Sequence, residues 1–415
     1  VTSLPKAGSL LLNGSPLAAG GTFTQADIDS SRISYQQKAV KPIASAGQLN
    51  LSGPPKISGA NAVWAADDGT GDSEIFFYNG GTGSVTQVTN NGVNDTLPQI
   101  SGSNVVWKSD TGTAAEIYLY NGSTGVTTRV TNNSIEDTNP QISDTFIAWQ
   151  KQYTTESDVG YYRLSTGTSG TIDGSISYDD TQVKLSGTKV AFTRNDLTPA
   201  DLDGIYFYNL DGGGTPIRVA AKNAAYSDSL VGIAGSTVVW ERYYSASSQS
   251  DILYDSDPNV GGFNVISNNP DFNDYNTIVS DSSIAFIRNQ VLSNNFDGIY
   301  LYEFGSGNTT RITTTLASSP TISGLSGSNI AWYDNSSGHY QVSLYSNGVT
   351  KPVAGGAVEE ALFALSGANG VWIGGTLVNF NKVFFYDGTT PSDTFGFTVS
   401  DGSLSTSGTF NVTIS

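Results

Sequence analysis

The sequence predicts an all-β fold, an eight-bladed β-propeller of four-stranded blades inserted into a small split β-sandwich. Three observations predict it: an aromatic recurs eight times in one register, strand-like runs ending in tyrosine follow it, and the two ends of the chain break that register. The 415 residues include Gly 47, Tyr 21 and Phe 18 but only 13% charged residues, the composition of short strands and many turns. No apolar pattern of helical period runs far enough to make a long helix.

The recurring aromatics are Trp64, Trp107, Trp149, Phe192, Trp240, Phe286, Trp332 and Trp372, spaced 43, 42, 43, 48, 46, 46 and 40 residues apart. Seven residues before each stands an apolar residue, Ile57, Ile100, Ile142, Leu185, Ile233, Val279, Leu325 or Leu365, usually followed by Ser and then Gly or Asp. This first strand is expected nearest the axis, where small residues allow close approach. A polar loop and a second run follow each aromatic, as in Glu116-Ile117-Tyr118-Leu119-Tyr120. Turn pairs such as Asn79-Gly80, Asn121-Gly122 and Asp387-Gly388 are expected to supply the positive φ of tight hairpins. A short last strand, as in 126–131, brings each unit to four strands within about 45 residues, the size of a propeller blade. A single blade has two faces to cover and is stable only against its neighbours.

The eighth unit has three strands, from Leu365 to Tyr386, and lacks the fourth. Upstream, Val40-Lys41-Pro42-Ile43-Ala44 echoes Thr350-Lys351-Pro352-Val353-Ala354 of the seventh unit, so residues 40–44 are expected to close the ring and remove its exposed edge. The propeller then occupies 39–389, and residues 1–38 with 390–415 form the split sandwich. Both flanks show strand patterns, and the last 26 residues read as a hairpin.

The joined flanks, through Leu12-Asn13-Gly14, Thr22 to Asp29 and Asp393 to Gly402, resemble one cadherin-like repeat of the chondroitin-sulfate-proteoglycan type. That resemblance covers about 65 residues and implies a bacterial surface protein whose repeat has received a propeller in one loop, an insertion that adjacent loop ends make easy. Residues 39–389 resemble propellers of the TolB and dipeptidyl-peptidase type, best from Pro98 to Thr131, although Gly160 interrupts the third strand of blade three and blade five is a residue short before Tyr254.

Lys+Arg 19 against Asp+Glu 37 give a net charge of −18, which repels nucleic acid and anionic membranes. No apolar run is long enough to span a bilayer. Cys 0 excludes disulfides and thiolate metal sites, and Met 0 places the start of the gene outside this chain, as expected of a processed secreted protein or a section of a longer multi-domain one. His339, the one histidine, stands in a polar loop with no nucleophile elbow in the chain, so hydrolase chemistry of the triad type has little to work with.

Asp95, Asp137, Asp180, Asp228 and Asp274 recur twelve residues before the aromatic and are expected as turn caps, with a ring of ligand-binding carboxylates as the alternative. Calcium is the one metal the side chains suit: Asp201 and Asp203, Asn295 and Asp297, and Asp27 and Asp29 in the flank are its expected ligands. Tyr243 and Tyr244 are the expected aromatic platform for a glycan or protein ligand. The function expected is that of a non-catalytic extracellular or cell-surface module for adhesion, matrix or protein recognition. The alternative is a lectin or carbohydrate-active enzyme working on a propeller face.

Overall fold

The computed structural model describes residues 8–13, 15–18, 20–30, 32–37, 40–45, 50–198, 201–267, 269–291, 294–314, 320–335, 340–353, 359–376, 379–386, 392–400 and 405–413. The chain divides into two compact units, Pro42–Phe384 and the pair Val1–Lys41 with Phe385–Ser415.

The larger unit is an eight-bladed propeller. Six blades are four-stranded antiparallel sheets in chain order, such as Asp95–Ser101, Asn104–Asp110, Ala115–Asn121 and Val126–Arg129 in blade two. In blade one the first strand is broken into Asn50–Leu51 and Lys56–Ser58, both paired with Asn61–Asp67. The eighth sheet takes its outer strand from the start of the chain: Glu359–Ser366, Asn369–Thr376 and Asn379–Tyr386 are followed in the sheet by Val40–Ser45. Each first strand touches the first strand of the next blade, and that of blade eight touches that of blade one. The first strands therefore ring the axis.

The recurring aromatics lie in the second strands, and all are buried. In five blades the ring stacks on an aromatic of the third strand: Trp64 on Phe76, Trp107 on Tyr118, Phe192 on Tyr206, Phe286 on Tyr300 and Trp372 on Phe384, with centroids 5.5–5.9 Å apart. In blade three the partner is Gly160, and a Cβ there would lie 2.4 Å from the Trp149 ring. The glycine is an accommodation of the indole. Trp240 is opposite Leu253 and meets Phe263 edge-on instead.

The recurrent Ser-Gly pair has a different job from the close approach expected of it. Gly59, Gly102, Gly187, Gly235, Gly327 and Gly367 stand at the first central position of the hairpin between first and second strands, at φ between +56° and +60°. Four of their N–H groups are used between blades: Ser58 Oγ accepts from Gly102, Ser186 from Gly235, Ser326 from Gly367, and Ser366 from Gly59 at 2.7 Å across the closure. Asn61, Asn329 and Asn369 Nδ2 each donate to the next blade's glycine carbonyl, again across the closure.

Two of the Asn-Gly pairs, Asn79-Gly80 and Asn121-Gly122, depart from expectation, whereas Asn347-Gly348 meets it with φ of +52° and +79°. Positive φ falls on Gly83 and Gly125, while Gly80 and Gly122 are glycine because a Cβ would meet Ala60 O at 2.2 Å or Ser103 O at 2.7 Å. Asp387-Gly388 lies outside the described residues.

The smaller unit contains a three-stranded sheet, Ser15–Pro16, Gly8–Leu12 and Ile33–Gln37, and the hairpin Ser392–Ser400 with Ser405–Thr413. Residues Gln25–Asp29, read from sequence within a strand pattern, form a short helix. Thr24 and Asp27 make a reciprocal capping box that satisfies the first N–H groups and outweighs the local strand pattern.

Candidate functional site

The antiparallel order of each blade sorts its loops onto two faces. The tight first-to-second-strand hairpins, with Gly59 and its equivalents, lie on one face. The loops from second to third strand lie on the other, at the end where each first strand begins. Register places the recurring acids at that second face: Asp95 is opposite Ser109, Asp137 opposite Lys151, and Asp180, Asp228 and Asp274 opposite Arg194, Arg242 and Arg288. The variable loops and the acid set thus share one face.

These acids are neither turn caps nor open ligand carboxylates. Asp95, Asp137, Asp180 and Asp274 are fully buried. In blades two and three the carboxylate accepts from the indole, Trp107 Nε1 to Asp95 at 3.0 Å and Trp149 Nε1 to Asp137 at 2.7 Å, and from Asn91 or Asn133 at 2.8 Å. In blades four to six it holds a guanidinium at two points: Arg194 on Asp180, Arg242 on Asp228 and Arg288 on Asp274, all at 2.6–2.8 Å. Each guanidinium also lies over an aromatic two residues before its acid, Tyr178, Tyr226 or Phe272, with centroids 4.0, 3.7 and 4.5 Å away. An Asp with an Arg fourteen residues later is the signal in the sequence for this arrangement.

A second tier of acids begins the third strands. Glu116 Oε1 accepts from Asn133 N and Arg129 Nη2, and Glu74 Oε1 from Asn91 N. In blade three, burial pushes Asp158 up to about 7, with the charges of Glu156 and Asp180 adding to it. Burial raises Glu156 too, and one of its oxygens is buried without a hydrogen-bond partner. In blade five, burial and then Asp274 push Asp251 up to about 6.

Between blades four and five this face opens into a cleft of about 530 Å³, lined by Asn195, Asp203, Lys222, Asn223, Tyr226 and Tyr243 among others. Of the two expected platform residues, Tyr243 is 44% exposed at this cleft, whereas Tyr244 packs edge-on against Tyr226. The structure separates them, because neighbours on a strand point to opposite faces.

The expected calcium ligands fall in three places. Asp203 accepts from Asp196 N with one oxygen and pairs with Lys222 through the other, and Lys222 holds its carboxyl below the usual range. Asp201 stands beside it at φ +53°. Asp297 accepts from Gln290 N at 2.6 Å, and Asn295 offers its carbonyl to Arg311 at 2.8 Å. Asp27 accepts from Thr24 N and Oγ1 at 2.7 Å and pairs with Arg32, while Asp29 ends the same short helix. Among the described residues no group of three or more His, Cys, Asp or Glu side chains could hold a metal ion. His339 lies outside the described residues. No helix among them is long and apolar enough to cross a membrane.

No protein-family model matches the sequence, and no curated protein matches it. Solved structures do. The chain is similar to the β-propeller domain of the Trilobed protease from Pyrococcus furiosus, at 11% identity and TM-score 0.50 over 83% of this chain and 95% of that one. It is similar to oligogalacturonate lyase from Vibrio parahaemolyticus, at 11% identity and TM-score 0.52 over 85% and 93%. Pyrococcus horikoshii acylaminoacyl peptidase matches at 12% identity and TM-score 0.51 over 88% of this chain, which spans 58% of that protein. Identities this low establish the propeller fold, and function must be argued from the site.

Proposed function

We propose that this chain is a non-catalytic extracellular or cell-surface recognition module that takes a neutral polyhydroxyl ligand, of the saccharide class, in the cleft between blades four and five. The observation that carries the reading is Tyr243, exposed beside Asn195 and Asn223 in a cleft of about 530 Å³. A rigid aromatic offers a flat apolar surface to a sugar ring, and carboxamides donate to and accept from its hydroxyls. The charges nearby are already paired, Lys222 with Asp203 and Arg194 with Asp180, which favours an uncharged ligand. The resemblance of the flanks to a cadherin-like surface repeat supports the location.

A second reading, a carbohydrate-active enzyme, is favoured by Asp158, whose carboxyl at about 7 suits proton transfer near neutral pH. Calorimetry of the full chain against neutral oligosaccharides, with reducing ends assayed in parallel, separates the two. The module reading expects saturable binding that Tyr243→Ala weakens roughly tenfold or more, from loss of a stacking contact. Bond cleavage that disappears in Asp158→Asn replaces the module with the enzyme, and binding unchanged in Tyr243→Ala removes the cleft.

A further inference from the structure

Eight residues before each recurring aromatic, the first strands carry Lys56, Gln99, Gln141, Lys184, Gly232, Ile278, Gly324 and Ala364. The register holds in every blade, from Lys56 opposite Val63 and Gln99 opposite Val106 to Gly324 opposite Ala331 and Ala364 opposite Val371. This position points at the next blade's first strand: a Cβ on Gly232 would lie 2.4 Å from Val279, and one on Gly324 would lie 3.1 Å from Leu365. Blades five to eight fill the position with Gly, Ile, Gly and Ala. Blades one to four fill it with long polar side chains, of which Gln141 spends one Nε2–H on its neighbour's carbonyl, Pro140 O, at 2.9 Å and keeps the second.

Two of those side chains are ammoniums. Lys56 and Lys184 stand at the same register position on the first strands of blades one and four, which ring one axis, and burial first and the Lys184 ammonium second hold Lys56 below the ordinary lysine value. The space where both reach is the one that the first strands enclose. Among the described residues neither ammonium has a hydrogen bond or a carboxylate partner, although acids outnumber bases 37 to 19 in the chain. Burial lowers both below the ordinary lysine value, and no acid offsets it. Two partly desolvated cations that repel each other are a standing cost to the fold unless something negative lies between them.

We propose that the central channel binds a polyatomic oxyanion of the phosphate and sulfate class, held between Lys56 and Lys184, with the Gln99 and Gln141 carboxamides on the arc between them as further donors. The oxyanion is either free or the terminal group of a larger ligand. Two ammoniums match its charge, and charge-assisted hydrogen bonds are the strong ones.

The test uses the full chain, inorganic phosphate and sodium sulfate, with calorimetry and thermal melting. One saturable site per chain is expected, together with a rise in the melting midpoint. Lys56→Gln and Lys184→Gln, which place in each position the side chain that Gln99 and Gln141 already supply, should each weaken binding roughly tenfold or more, the loss of a hydrogen bond to a charged group. Lys189→Gln, on the second strand of blade four, should not. Without anion, each channel variant should melt above the parent, because a repelling pair has been broken. A sugar phosphate bound at least tenfold more tightly than inorganic phosphate identifies a terminal group; equal affinity identifies the free ion. Absence of saturable binding by both ions overturns the proposal. So does binding unchanged in both channel variants, or channel variants that melt below the parent without anion.

Discussion

The buried side chains of blades four to six turn an electrostatic penalty into a structural joint. Arg288 is buried, held at two points by Asp274 and covered by Phe272 and Phe286. Removing one partner strands a charge where water cannot reach it, so Arg288→Met should lower stability by about 3–5 kcal/mol. Arg288→Met with Asp274→Leu should recover most of that loss; urea unfolding of both variants checks it. Asp158 makes the opposite kind of contribution. Its folded carboxyl titrates at about 7 against an ordinary 3.8, so the stabilisation it provides is full below about pH 4 and is lost as pH rises to about 7. Asp251, at about 6, acts in the same direction over a narrower window. The urea midpoint should therefore fall between pH 4 and pH 7.5. Asp158→Asn, uncharged throughout, should show a shallower fall and be the more stable protein at pH 7.5. The repeating acid was legible in the sequence as a register, but its role was not. That role depends on whether Arg194, Arg242 or Arg288, two residues after the aromatic, or the aromatic's own indole, as at Trp107 and Trp149, answers it across the hairpin.

At the scale of the element, the second and third strands of each blade were legible because aromatic and branched residues mark them directly. The first strand was harder, since its small residues serve a neighbour. Ser366 and Gly59 are 307 residues apart, and only the closed ring shows that the serine accepts the glycine N–H. Ser366→Ala leaves that N–H in part to solvent and should cost about 0.5–1.5 kcal/mol, as should Ser58→Ala on the other side of blade one. Equal losses at the two sites, measured by chemical denaturation, would show that the closure is an ordinary blade interface; a larger loss at Ser366 would mark it as a weaker joint. Gly160 shows the converse dependence. The sequence presented it as a defect in a strand, and the structure shows an indole lying over it. Gly160→Ala should cost about 1–3 kcal/mol through overpacking, read from the same unfolding curves. Thr22 to Asp29 was misjudged for a local reason: five residues are too few for helical periodicity, and the Thr24–Asp27 capping box decides the conformation.

For the whole molecule, the number of blades was legible because eight aromatics share one register, whereas the channel was not, since Lys56 and Lys184 come to line one ring only through the contacts between successive first strands. Closure rests on the ends of the propeller. Val40–Ser45 lies outside Asn379–Tyr386 in the eighth sheet, and Gly59, Ser366 and Asn369 join blades eight and one. Deleting residues 1–49 removes the outer strand and leaves the third strand, with buried Val383 and Phe385, as an open edge. The propeller should then melt more than about 5 °C lower, a shift that corresponds to a loss of a few kcal/mol in a chain of this size. It should also associate with rising concentration, because an unpaired edge recruits other strands. Deleting residues 1–38 takes the same flank but spares the strand, so its propeller transition should stay within about 2 °C of the parent. If both deletions destabilise equally, stability comes from the flanking unit and not from the strand. Addition of a peptide spanning 38–50 to the longer deletion distinguishes these causes directly. A missing strand can be supplied from outside by edge pairing, with saturable recovery of the midpoint, whereas a missing unit cannot.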